Sequence, residues 1–360
     1  MQISNSPHQG ITLEETSKWL GRELPSTGVD EVSRSDIRRK LEVYCFDCPL
    51  HYDDDVAQAH GYRAIPAPVV MTGLWSMGPH WAPGQPPLFP PGDSESRLPG
   101  APEGETHVPM PFARNVQAGS ETEYFEPVYP GDRLHGVRKL VEITPKQTRL
   151  GNGAFFTFEG RHWKQTGELV SASRSTGYRY DPFPERVEEA RALPREPAPR
   201  PTPDPLTWSN PEVDWNLQVA FEDVSAGNEI PPYGLWLSYQ RIVMSVAADR
   251  MFSPLHHSRD YTRGQGLADI IFNTRGYDIV FEILLRRWIG LDGRVRRMGP
   301  FRMTNNSHPG DTITAGGRVE STEARDGEGF VSLDIWIANP RGEAAHGKAT
   351  VSLPIRGRVG

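Results

Sequence analysis

The sequence predicts an α+β chain of two related units, each an antiparallel sheet wrapped around a central helix. Three observations carry that prediction. A set of short landmarks occurs twice in the same order, a proline-rich stretch separates the two sets, and each set passes from helical to alternating apolar spacing. At 360 residues the chain is long for one compact unit and comfortable for two, each able to bury its own core.

Pro49, Leu50 and His51 recur as Pro254, Leu255 and His256; Pro130, Gly131 and Asp132 recur as Pro309, Gly310 and Asp311; Gly167 and Glu168 recur as Gly342 and Glu343. The interval from His51 to Pro130 is 79 positions and that from His256 to Pro309 is 53. The first unit therefore carries an insertion, which the Pro/Gly-rich stretch at about 79–111 supplies, with Trp75, Trp81 and Phe89 available to tether it. Prolines 194, 197, 199, 201, 203 and 205 stand almost alternately and read as an extended linker, because proline fixes φ and removes backbone donors. The predicted layout is a first unit at 1–181, a linker at 182–215 and a second unit at 216–360.

Within the first unit, Ser33 with Asp36 resembles a helix start, and Ile37, Leu41 and Tyr44 follow at helical spacing just before Pro-Leu-His. In the second, Tyr277, Val280, Leu284 and Trp288 mark a long amphipathic helix. After Pro-Gly-Asp, Val331, Leu333, Ile335 and Ile337 alternate with Ser332, Asp334 and Trp336, and Gly342 with Glu343 supplies a hairpin turn. Pro-Gly-Asp itself is read as a strand-entry turn with a structural role.

A net charge of -7 argues against nucleic acid as a partner, whose phosphates demand a basic face. The short basic run Arg294 to Arg297 is read as a solvated face. No stretch approaches 18 uninterrupted apolar residues, and Met1 to Ile11 lacks the order of a signal peptide, so a cytoplasmic protein without membrane contact is expected. The only cysteines, Cys45 and Cys48, lack the second ligand pair of a zinc knuckle and the strand-then-helix setting of a redox motif. They are read as two buried thiols, with no metal and no redox cofactor.

The run Phe252 to His257, followed by Tyr261 and Ile270 to Thr274, resembles the hydratase motif of MaoC-like (R)-specific enoyl-CoA hydratases. Cys48 to Asp53, with Ile65 to Pro68 after it, resembles the dehydratase domain related to fungal fatty-acid synthase. The resemblance covers most of 33–180 and 220–355 and implies a tandem, or double, hot-dog fold. It also implies the substrate, an acyl thioester. Hydrating an enoyl thioester needs a base for water, an acid for the α-carbon, and N–H donors for the thioester oxygen as enolate charge develops. Members of the family use a histidine, an aspartate five positions before it, and an amide at the start of the central helix, where the dipole favours negative charge.

Carried over by position, the histidine falls on His256 and His51, and the amide donor on Thr274, beside Asn273, with Val69 as its counterpart. The aspartate does not carry over, since Met251 and Phe46 occupy its two slots. Asp249 and Asp47 are the nearby carboxylates that would substitute. His257 and Arg259 are candidates to face the phosphates of coenzyme A. Either half could be the active one: the first keeps His51 and Asp53, the second His256, Asn273 and Thr274. The expected activity is interconversion of a 2-enoyl and a 3-hydroxyacyl thioester, and the insertion suggests a bulky acyl group. Thioester hydrolysis and a non-catalytic acyl-binding or partner subunit stay open as alternatives. Expected assembly is a monomer, a homodimer or a pairing with another hot-dog subunit.

Overall fold

The computed structural model describes residues 10–88, 108–112, 114–185, 210–264 and 267–356. Its first half runs α1 (Leu13–Ser17), β1 (Glu23–Thr27), α2 (Arg34–Tyr44), a 3-10 turn at Pro49–His51, α3 (Asp54–Ala59), a 3-10 turn at Val69–Leu74, then β2 (Arg114–Tyr124), β3 (Leu134–Thr148), β4 (Gly151–Lys164) and β5 (Leu169–Pro182). The second half repeats the order: β6 (Glu229–Trp236), α4 (Tyr239–Ala248), a 3-10 turn at Pro254–His256, α5 (Arg259–Gly264), α6 (Thr274–Ile289), then β7 (Arg294–Met303), β8 (Thr312–Arg325), β9 (Glu328–Asn339) and β10 (Gly342–Leu353).

The ten strands form one antiparallel sheet in the order β1-β3-β4-β5-β2-β7-β10-β9-β8-β6. Read from the seam outward, each half presents the same sequence of strands, so the duplication becomes a pseudo-two-fold axis between β2 and β7. Ser120 faces Phe301 across that seam, and Arg297 of the basic run pairs with Glu121 there. The basic run is thus partly an inter-half contact rather than a wholly solvated face.

Helix α6 is the structural centre of the second half. Asn273 caps it by accepting the Gly276 N–H at 3.1 Å, and Ile279, Val280, Phe281, Ile283, Leu284 and Leu285 are all buried. The expected single apolar stripe is widened because the sheet covers one side and the first half the other. The corresponding segment of the first half is only the 3-10 turn Val69–Leu74. Pro66 and Pro68 lead into it, Gly73 stands within it, and Gly78 and Pro79 follow, a composition that cannot sustain a long helix.

Strand β9 buries Val331, Leu333, Ile335 and Ile337 and half-exposes the residues between them. At Pro-Gly-Asp, Gly131 and Gly310 hold φ of 89° and 87°, and Asp132 and Asp311 accept the N–H groups of Tyr129 and His308. Of the linker, 186–209 lies outside the described residues, as do 89–107 of the insertion, including Phe89. Among the described residues no helix is long and apolar enough to cross a membrane.

Candidate functional site

The two Pro-Leu-His segments are built alike and end differently. Each follows a helix closed by a left-handed residue, Cys45 with φ 50° and Arg250 with φ 54°, so the chain turns sharply into the motif. Each histidine then ties its Nδ1 to a carbonyl 15 residues ahead: His51 to Pro66 at 2.7 Å and His256 to Ile271 at 2.9 Å. A donated Nδ1–H leaves the lone pair on Nε2, the tautomer a general base needs.

At His51 that lone pair is sealed off. Its Nε2 is buried without a partner, the Phe46 ring lies 5.4 Å away, and burial holds the imidazole neutral, with its pKa lowered to about 4. His256 is also buried, 7% exposed against 4% for His51, and its pKa is lowered by that burial; among the described residues only its Nδ1 is bonded.

The amide donors separate the halves further. The N–H groups of Thr274 and Arg275, in the first turn of α6, have no protein acceptor among the described residues. Their counterparts are occupied: Val69 donates to Glu282 Oε1 at 2.8 Å and Val70 to Oε2 at 3.2 Å. A carboxylate of the second half thus fills the place where a thioester oxygen would sit in the first. Burial pushes Glu282 up to about 7, and the two N–H bonds work against that rise.

Asp249, the C-cap of α4, is brought into the site. Asn273 Nδ2 donates to it at 3.3 Å and lies 3.5 Å from the Met251 sulfur, so carboxylate and motif slot share one neighbour. Both Asp249 oxygens also lie 2.7 Å from Lys40 Nζ. Asp47 is not brought in; it is exposed and lines an outer recess of about 620 Å³ with Phe46, Pro49 and Tyr52. Cys45 is exposed and Cys48 buried, correcting the expectation of two buried thiols, because Cys45 caps a helix at the surface; burial pushes the Cys48 thiol up to about 12. Among the described residues no cluster could hold a metal.

Arg259 is held by buried Asp269 at 3.0 Å and lies over the Tyr239 ring, with half of its side chain still exposed. His257 sits 3.4 Å from the Phe252 carbonyl. The insertion enters the site region through His80, whose Nε2 lies 3.1 Å from the Arg250 carbonyl and whose ring meets Phe252 edge-on. Trp75 ties to Asp36 at 3.3 Å, whereas Trp81 bonds to the Gln85 and Pro86 carbonyls of its own turn.

Lys40, Glu282 and Asp278 were not anticipated. Lys40 and Glu282 interrupt apolar stripes, Ile37-Lys40-Leu41-Tyr44 and Ile279-Glu282-Ile283, and a charge inside such a stripe is the signal that could have found them. Asp278, one turn after Thr274, keeps contact with water yet is pushed up to about 7 by surrounding protein, with Arg275 nearby to oppose the rise.

Comparison with known proteins adds the context. Residues 18–173 match the family described as the FAS1-like dehydratase domain region. A probable enoyl-CoA hydratase alpha subunit of Thermomonospora curvata is 31% identical over 186 residues, which span 51% of this chain and 56% of that protein. A UPF0336 protein of Saccharopolyspora erythraea is 30% identical over 44% of this chain and 86% of its own length. A solved MaoC-like dehydratase, 18% identical, superposes over 94% of this chain and 99% of its own with a TM-score of 0.68, a likeness that covers both halves of the fold.

Proposed function

This chain belongs to the MaoC-like double hot-dog family, and on that premise we propose that it interconverts a 2-enoyl thioester and the corresponding 3-hydroxyacyl thioester, with the second half as the active one. The observation that carries the reading is the asymmetry between equivalent positions. In the second half, among the described residues, only Nδ1 of His256 is bonded and the first amides of α6 have no acceptor, whereas His51 Nε2 is fully buried behind Phe46 and Val69 is bonded to Glu282.

In the hydration direction His256 Nε2 removes a proton from water as the oxygen bonds to the β-carbon. The same imidazolium then delivers that proton to the α-carbon, so one water is added across the double bond. The electron pair passes transiently to the thioester oxygen, which takes hydrogen bonds from the amides of Thr274 and Arg275 at the positive end of α6. This proton transfer needs no metal or redox group. Asp249, whose charge acts on His256, is held by Asn273, which also neighbours the Met251 sulfur. Arg259 and His257, at the rim, are the proposed contacts for the carrier phosphates.

The shortened helix of the first half and the approach of His80 to the motif loop support a bulky acyl group. The name of the Thermomonospora relative, an alpha subunit, supports a partner hot-dog subunit, and a cytoplasmic setting belongs to the same proposal. The test is loss of enoyl absorbance with linear and bulky enoyl-CoA thioesters. His256→Ala should lower kcat/KM by about 10²–10⁴-fold, while folded His51→Leu should stay within a few-fold of wild type. Full activity in His256→Ala would place the chemistry elsewhere. Release of free thiol in place of hydration would make the chain a thioester hydrolase.

A further inference from the structure

The halves are locked together by two crossed bonds. Lys40 and Tyr44 stand at i and i+4 on α2, and Ser245 and Asp249 hold the equivalent positions on α4 and its cap. Lys40 bonds Asp249, both oxygens at 2.7 Å, and Tyr44 Oη lies 2.7 Å from Ser245 Oγ. Each bond is the image of the other under the pseudo-two-fold axis, yet only one is ionic. Both converge on Asn273: Ser245 donates to its Oδ1 at 3.2 Å, and its Nδ2 donates to Asp249.

We propose that Lys40, supplied by the first half, is a positioning residue of the second-half site, holding Asp249 as the carboxylate that orients Asn273 and sets the charge beside His256. The inference rests on the second half being the catalytic one. Lys40 is 1% exposed and Asp249 4%. An apolar pair of the same shape could hold two helices together at least as well as a buried ion pair. What an apolar pair could not do is give Asn273 Nδ2 a charged acceptor; its other neighbour is the weakly accepting Met251 sulfur. Asn273 in turn caps α6, so the direction of the Thr274 and Arg275 amides depends on a residue of the other half.

Charged and titratable groups face the pair from several elements. From α2 come Lys40 and the Tyr44 hydroxyl, from β6 the Tyr233 hydroxyl, from α4 Arg241 and its cap Asp249, from α6 Arg275, Asp278 and Glu282, and from the motif turn His256 and His257. Lys40 is the cation bonded directly to Asp249. Without it an uncompensated carboxylate is left near His256 and favours the imidazolium.

The experiment follows the His256 imidazole by NMR titration, assigned against His256→Gln, in wild type, Lys40→Met, Lys40→Arg and Lys40→Met/Asp249→Leu, and in parallel the pH profile of enoyl-CoA hydration. Lys40→Met should raise the His256 midpoint by about one pH unit and move the acid limb of kcat/KM with it, and Lys40→Arg should restore both. If Lys40→Met does not fold, the charge-free double variant decides: kcat at least tenfold lower with little change in KM is expected, since Asn273 has lost its acceptor. An unchanged midpoint in folded Lys40→Met, or wild-type kcat in the double variant, would overturn the proposal. If wild type hydrates no enoyl thioester, the hydratase reading fails, and the NMR midpoints of Lys40→Met, or of the double variant against Asp249→Leu, still decide whether Lys40 sets the charge at His256.

Discussion

Glu282 Oε1 lies 2.8 Å from the Val69 amide nitrogen, so a carboxylate built into the central helix of one half occupies the anion position of the other. Glu282→Ala would leave the part-buried Val69 and Val70 N–H groups without their acceptor, and should lower unfolding free energy by about 1–3 kcal/mol in urea titrations. Glu282→Gln keeps a carbonyl acceptor and should lose less.

The same residue imprints a pH dependence. Because burial raises its pKa from the ordinary 4.5 to about 7, its favourable contribution is complete below about pH 4.5 and is lost as pH rises through 7. The urea midpoint of wild type should fall relative to that of Glu282→Gln between pH 5 and 8.

His51 acts in the opposite sense. Its pKa is lowered to about 4 from 6.5, so its contribution is present above pH 6.5 and is lost as pH falls toward 4, by up to roughly 3 kcal/mol. His51→Leu forfeits the bond to Pro66 at every pH, but its stability should decline less between pH 7 and 4 than that of wild type.

Gly276→Ala tests the amide donors without touching a charge. A methyl at that position would meet the Phe272 ring and come within 2.6 Å of Asn273 Oδ1, the atom that caps α6. Phe272 is buried and Asn273 is tied to Asp249 and Ser245, so neither yields freely. A drop in kcat of at least tenfold with KM changed less is the expected outcome in the hydration assay.

Phe281 stacks on Phe301 at 4.7 Å and 2°, joining α6 to β7 beside the inter-half seam. Phe281→Ala should cost about 3–5 kcal/mol, measured by urea unfolding.

Much of this molecule is local and therefore legible. Helix starts such as Ser33, the alternation of Val331 to Ile337 and the paired Pro-Gly-Asp turns follow from stereochemistry acting over a few residues. Their repetition in order was enough for a duplicated α+β unit, and the two Pro-Leu-His segments do adopt the same 3-10 turn. The shortening of the first-half helix to Val69–Leu74 could also have been read, from Pro66, Pro68, Gly73 and Pro79.

What the sequence by itself determined is the pair of units and the pair of histidines; what only tertiary structure decided is how unequal their surroundings are. The deciding contacts join Glu282 to Val69 across 213 positions and Lys40 to Asp249 across 209. No motif spacing encodes such separations. Whether a carboxylate meets water, an ammonium group or a backbone amide depends on which surfaces the sheet brings together when the two halves close around α6.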